Sequence, residues 1–155
     1  MFFYGYRRFT ENVDILVTSD GLKDIHCKLE DLCYLLPHSP GGKQFRDIDY
    51  GVRNKFLTSG DYPGGQSGPK SVAYPDPKAA SFDIGGVHVL QLPCLIELKL
   101  AYGMSSPGRL GAVADVQRMI EVLGLLAGLT DQLNPCVREK YTALWTAVRD
   151  NPSEE

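Results

Sequence analysis

Asn12 and Asp14 stand two residues apart in the run NVDILV, residues 12–17. A strand there would send both side chains to one face. Two carboxylates so placed, with a third from a neighbouring strand, can hold paired divalent cations against a triphosphate. Transfer of a nucleotide needs that cradle, because the metals neutralise charge on the attacking and leaving oxygens. Here the first position of the pair is a carboxamide. Arg8 and Thr10 lie just upstream, where they could position a phosphate or only fix the strand entry. The next strand-like run is YGVRNKFLTSG (50–60), with Val52, Phe56 and Leu57 as its apolar content. The loop GGKQFR (41–46) adds glycines and cations that could touch a phosphate, a weak signal alone.

These residues need elements to carry them. VDILV (13–17) is short, apolar and β-branched, which predicts a strand buried on both faces. Ser19 or Asp20 can cap a following helix with Leu22, Ile25, Leu29, Leu32 and Cys33 on its apolar side. The cluster Pro37–Gly42 ends it. Residues 61–80 are rich in proline and glycine, which predicts a long irregular excursion without helix or central strand. GVHVLQL (86–92) reads as a further strand.

The second half predicts helices. LPCLIELKLAYG puts Leu95, Leu98 and Ala101 on one side, with Pro93 near the start and Gly103 as C-cap. GRLGAVADVQRMIEVLGLLAGL carries Val113, Val116, Ile120, Leu123 and Ala127 on one stripe. Asn134 and Pro135 open a last helix holding Val137, Tyr141, Leu144, Trp145 and Val148. The expected fold class is α+β, with one domain over residues 1–150 and a frayed tail at 151–155.

Bulk properties exclude several classes. A chain of 155 residues can bury one core but not two ordinary ones. A net charge of −3 argues against general nucleic-acid binding, which calls for a basic excess. No run approaches membrane-span length, and MFFYGYRRF is charged too early for a signal peptide. The expectation is a cytoplasmic protein. Cys27, Cys33, Cys94 and Cys136 form no Cys-x-x-Cys pair, which predicts reduced, mostly buried thiols. His26, His38 and His88 lack zinc-ligand spacing.

The segment GYRRFTENVDILV resembles the Arg-x-Thr-x-Asp-hydrophobic-Asp element of the minimal nucleotidyltransferases. That DNA-polymerase-β-like superfamily includes the AbiEii-type toxin enzymes. FRDIDYGVRNKFLTSGDYPG, YPDP, LPCLIELKLAYG, PGRLGAVADVQRMI and LNPCVREKYTALW follow in the order of one bacterial branch. The resemblance thus covers most of the chain. It implies a small mixed sheet flanked by helices with a helical C-terminal half. It implies ATP or another nucleoside triphosphate as ligand, with Mg²⁺ where the enzyme is active.

Carried over by position, Asp14 matches the second carboxylate of the pair and Asn12 the first. Lys55 falls where the third carboxylate would sit. Arg109 and Asp115 match a helical Arg-x-Lys-Asp-x-x-Asp element in which Gly111 and Ala112 replace Lys-Asp. The same placement would turn Lys99 and Arg109 toward the cleft. The phosphate-gripping glycine turn of the family is not found before the first strand, since the chain begins too late to hold it.

A lysine ammonium about 4 Å from a unit positive charge repels it by roughly 4 kcal/mol at an effective dielectric of 20. An Asn12–Asp14–Lys55 cradle therefore retains paired Mg²⁺ poorly, and Asp14 reads better as an ion-pair partner of Arg7, Arg8 or Lys55 than as a metal ligand. The leading expectation is a nucleotidyltransferase-fold protein with an eroded metal site that binds a nucleotide or a partner protein. One alternative is an active Mg²⁺-dependent, toxin-like transferase acting on protein or RNA, with Asp14 as its main metal ligand. Another is a dimerisation module, since the aromatics of MFFYGY call for cover.

Overall fold

A computed structural model of the chain describes residues 2–5, 12–29, 34–35, 42–47, 51–65 and 72–151. The architecture is mixed α and β, as the sequence pattern implies. Contacts gather the chain into two compact units. One comprises Phe9–Asp61 with Tyr74–Ala79, and the other Met1–Arg8, Tyr62–Ala73 and Ala80–Glu155.

The first unit is built on a four-stranded mixed sheet. Its strands are β1 (Asn12–Val17), β2 (Tyr34–Leu35), β3 (Gln44–Asp47) and β4 (Arg53–Thr58), in the order β1-β4-β3-β2. β1 and β4 run parallel, while β3 is antiparallel to both β4 and β2. Helix α1 (Ser19–Leu29) follows β1 at once. Its cap is Thr18, one residue before the expected Ser19 or Asp20. The Thr18 carbonyl accepts from Leu22 N at 2.9 Å, and its Oγ1 accepts from Gly21 N at 3.0 Å. The expected apolar positions Leu32 and Cys33 lie outside the described residues.

One face of this sheet is covered. Val17, Phe45 and Phe56 pack with Leu22 of α1, and Ile15, Ile25 and Leu29 border that cluster. Phe45 and Phe56 meet edge to face at 5.0 Å between centroids, a favoured aromatic geometry. β1 is therefore not buried on both faces, and Val13 is exposed. Parallel pairing does not by itself cover both faces of a short sheet. The GGKQFR loop reading is corrected as well, because Gln44–Asp47 form a strand against β4.

The second unit carries helices α3 (Leu92–Met104), α4 (Leu110–Leu123) and α5 (Pro135–Asp150), with a separate hairpin of β5 (Ser81–Ile84) and β6 (Val87–Leu90). The strand expected at 86–92 thus belongs to this hairpin. A short helix α2 (Pro77–Ala80) interrupts the excursion expected to be wholly irregular. Proline at its first position needs no N–H there. Asp76 Oδ1 accepts from Lys78 N at 2.9 Å and holds that turn.

Ile96, Leu100, Val116, Met119, Val137 and Tyr141 form much of the helical core. Gly103 is not the C-cap of α3 but lies inside the helix. A Cβ there would sit 2.5 Å from Val113 Cγ2 and 3.2 Å from Val113 N, so glycine lets α3 and α4 approach. The stripe predicted through Ala127 stops earlier, because Gly124 adopts φ 60° and ends α4. Asn134 does cap α5, its Oδ1 accepting from Cys136 N at 3.1 Å, with Pro135 as the first helical residue. Of the N-terminal aromatics, Tyr4 finds cover within this unit. Tyr4 OH donates to Leu90 O at 2.6 Å and its ring meets Phe82, while Phe3 stays exposed.

Candidate anion-binding sheet face

Alternation along the strands sorts the first unit's side chains onto two faces. Opposite the α1-covered face, β1 presents Asn12, Asp14 and Leu16. The parallel register sets Asn12 against Arg53, Asp14 against Lys55 and Leu16 against Leu57. β3 adds Gln44 opposite Lys55 and Arg46 opposite Arg53. Among the described residues, the face therefore joins three cations, one carboxylate and two carboxamides. Asn12, Asp14, Gln44, Arg46 and Arg53 are exposed, and Lys55 is half-buried.

The Asp14–Lys55 pairing brings together two positions called from sequence, though Asp14 is exposed rather than buried. Arg8 and Thr10, called as phosphate contacts, lie outside the described residues, as do Arg7, Glu11 and His38. Lys99 and Arg109 belong to the second unit. Each has partners there. Lys99 Nζ meets Asp115 Oδ2 at 2.8 Å between α3 and α4. The Arg109 guanidinium lies 4.6 Å from the Tyr102 ring centroid and donates to Ser105 Oγ. Gly64, at φ 84°, approaches the same group so closely that a Cβ would collide with Ser105 and Arg109. Both cations thus have local bracing roles in the helical unit.

Arg53 was not singled out from the sequence, and Arg46 entered only as the last residue of the GGKQFR run. Arg53 could have been found by its two-residue spacing from Lys55, which puts both on one strand face. Arg46 joins them only through the β3–β4 pairing, a contact between segments that carries no local signal. The two arginines face each other directly across antiparallel strands. Like charges so placed destabilise a sheet, and neither pairs with an acid among the described residues.

Other candidate chemistry finds ordinary structural duties. His26 packs 4.8 Å from Phe45 by ring centroids, and its Nε2 lies 3.0 Å from the Gly42 carbonyl. Cys27 is exposed, contrary to the buried expectation, while Cys94 and Cys136 are half-buried and free. Burial, with the Glu97 carboxylate beside it, pushes the Cys94 thiol up. Burial likewise raises Glu97, against the Asn134 N–H and the Arg138 charge, which favour its ionised form.

Among the described residues, no group of three or more His, Cys, Asp or Glu side chains is arranged to hold a metal ion. The donor set on the sheet face is one carboxylate and two carboxamides beside three cations. That set does not fit a pair of hard dications. No helix among the described residues is long and apolar enough to cross a membrane.

No protein-family model, curated protein or solved structure matches the chain.

Proposed function

We propose that this chain is a nucleotide-binding protein of nucleotidyltransferase-like fold that does not run two-metal transfer. The observation that carries the reading is the register Asp14↔Lys55 beside Asn12↔Arg53. Where paired cations would need three carboxylates, the sheet offers one acid flanked by an ammonium and a guanidinium. Repulsion of a dication by two neighbouring cations exceeds what one exposed carboxylate returns, at roughly 4 kcal/mol per unit-charge pair near 4 Å and an effective dielectric of 20. The same arrangement attracts anions. ATP or another nucleoside triphosphate is then the ligand, and magnesium is not its partner.

Calorimetric titration of the full chain with ATP, once in EDTA and once with excess Mg²⁺, tests this. The expected result is heat of binding in EDTA, with no gain on adding magnesium. Binding seen only with magnesium, or nucleotide transfer to a protein or RNA acceptor, would overturn the reading in favour of an active transferase.

A further inference from the structure

We infer that Arg46, Arg53 and Lys55 form the seat of the triphosphate group, and that the nucleotide is taken in its magnesium-free form. This rests on the nucleotide-binding reading and names the residues and the charge state that would realise it.

The geometry is specific. Arg46 and Arg53 are opposite one another on β3 and β4, which sets their α-carbons about 5 Å apart. Arg53 and Lys55 are two residues apart on β4, about 7 Å along the strand. Three cations thus share one patch of one sheet face, a compact match for a compact polyanion. Gly51, at φ 68°, keeps the turn before β4 close to Arg46, whose Nη2 would lie 3.6 Å from a Cβ there. Guanidinium forks suit phosphate oxygens because they donate paired hydrogen bonds.

The cross-strand arginine pair is the second observation. A folded sheet gains nothing from opposing two cations, and departures from local consistency concentrate where a protein uses its surface. A bound anion converts that repulsion into attraction. Magnesium works against this, because it neutralises part of the triphosphate charge before the protein meets it. A long polyanion fits less well, since the chain carries a net charge of −3 and would repel strands that run beyond the patch.

Asp14 gives the test its sign. It borders Lys55 and opposes an incoming phosphate, so its removal strengthens binding here, whereas a metal-ligand role demands the reverse. The experiment is calorimetry on the full-length protein in EDTA, with ATP, inorganic tripolyphosphate and a short single-stranded oligonucleotide as probes. Wild-type protein should bind ATP, with tripolyphosphate competing. The double variant R46Q/R53Q should lose affinity by roughly tenfold or more, and Arg53→Lys should lose less. Asp14→Asn should bind ATP in EDTA several-fold more tightly. Circular dichroism of each variant checks that these exposed substitutions leave the fold intact.

ATP binding in EDTA that survives R46Q/R53Q unchanged would overturn the seat while leaving the nucleotide reading in place. So would failure of tripolyphosphate to compete, or weaker binding by Asp14→Asn. Absence of any ATP binding by the wild type would remove both. An oligonucleotide that binds more tightly than ATP would replace the nucleotide with nucleic acid as the occupant.

Discussion

In the helical unit Lys99 meets Asp115 at 2.8 Å, Tyr141 OH donates to Leu126 O at 3.1 Å, and Trp145 Nε1 donates to Leu125 O at 2.9 Å. Glu97 accepts from the backbone N–H of Asn134, and Arg138 Nε donates to Leu133 O at 2.8 Å. Polar groups there close on one another, and desolvation pushes the Tyr141 phenol up to about 12. The sheet unit is organised differently. Its apolar side chains crowd onto the α1-covered face, while Arg46, Arg53 and Lys55 stand on the other, with Arg46 opposite Arg53. The contrast separates two uses of charge. In one unit charge holds helices together; on the open face of the sheet two exposed arginines oppose each other, where a ligand can meet them.

The sharpest way to break that contrast is to remove a brace from the helical unit. Lys99→Met keeps the aliphatic stem and deletes the ammonium, leaving the Asp115 carboxylate, whose side chain is 10% exposed, short of that cation. Removing one member of a largely buried charged pair costs stability, and the expected loss is about 2 kcal/mol. Urea denaturation measures it as a fall in midpoint at constant slope. A loss below about 0.5 kcal/mol, the level of an ordinary surface substitution, would mean that Lys99 is not a brace and is open to the ligand role the resemblance implies.

The sheet unit offers a smaller effect of opposite sign. Thr58 ends β4, is 6% exposed, and its Oγ1 has no hydrogen-bond partner among the described residues. A buried hydroxyl left unpaired costs free energy that an apolar group of the same shape does not. Thr58→Val is expected to raise unfolding free energy by about 1 kcal/mol, read from the same urea curves. A decrease would show that the hydroxyl is satisfied in solution, and that this unit closes its polar groups as the helical one does.

How far the sequence disclosed these features follows from the range of the interactions involved. Asn134, Pro135, Val137, Tyr141 and Leu144 were all placed correctly, because capping and helical periodicity are local. The opposition of Asp14 and Lys55 was legible only through the resemblance, which aligned two strands that no local pattern could pair. Gly103 was misread because a glycine near a helix end looks like a cap until the neighbouring helix is present to demand a missing Cβ. Arg46 was read within the GGKQFR run, but its opposition to Arg53 was hidden for the same reason, since it arises through strand pairing. The candidate site was thus half visible: Asn12, Lys55 and the cations of GGKQFR were read from the sequence and the resemblance, while the gathering of Arg46, Arg53 and Lys55 on one face came only from topology.

The finest test concerns Glu97, where two tendencies of the helical unit oppose each other. Burial raises its carboxyl above the ordinary value of 4.5, while the Asn134 N–H and Arg138 pull it down; the rise wins. In the window above 4.5 and below the raised value, the folded chain holds more protons than the unfolded one. Stability therefore falls as pH rises through that window. The contribution is fully present below 4.5 and is lost as pH rises through the raised value. Glu97→Gln removes the titration yet keeps a side-chain oxygen for the Asn134 N–H. The variant should match the wild type in acid and gain on it as pH approaches neutrality, by a margin smaller than that of Thr58→Val. Unfolding free energies measured across this pH range for both proteins decide the point. If the variant instead loses stability at neutral pH, the capping hydrogen bond and the Arg138 charge outweigh burial. The helical unit would then hold its α5 terminus by an ionised carboxylate, making its use of charge attractive throughout.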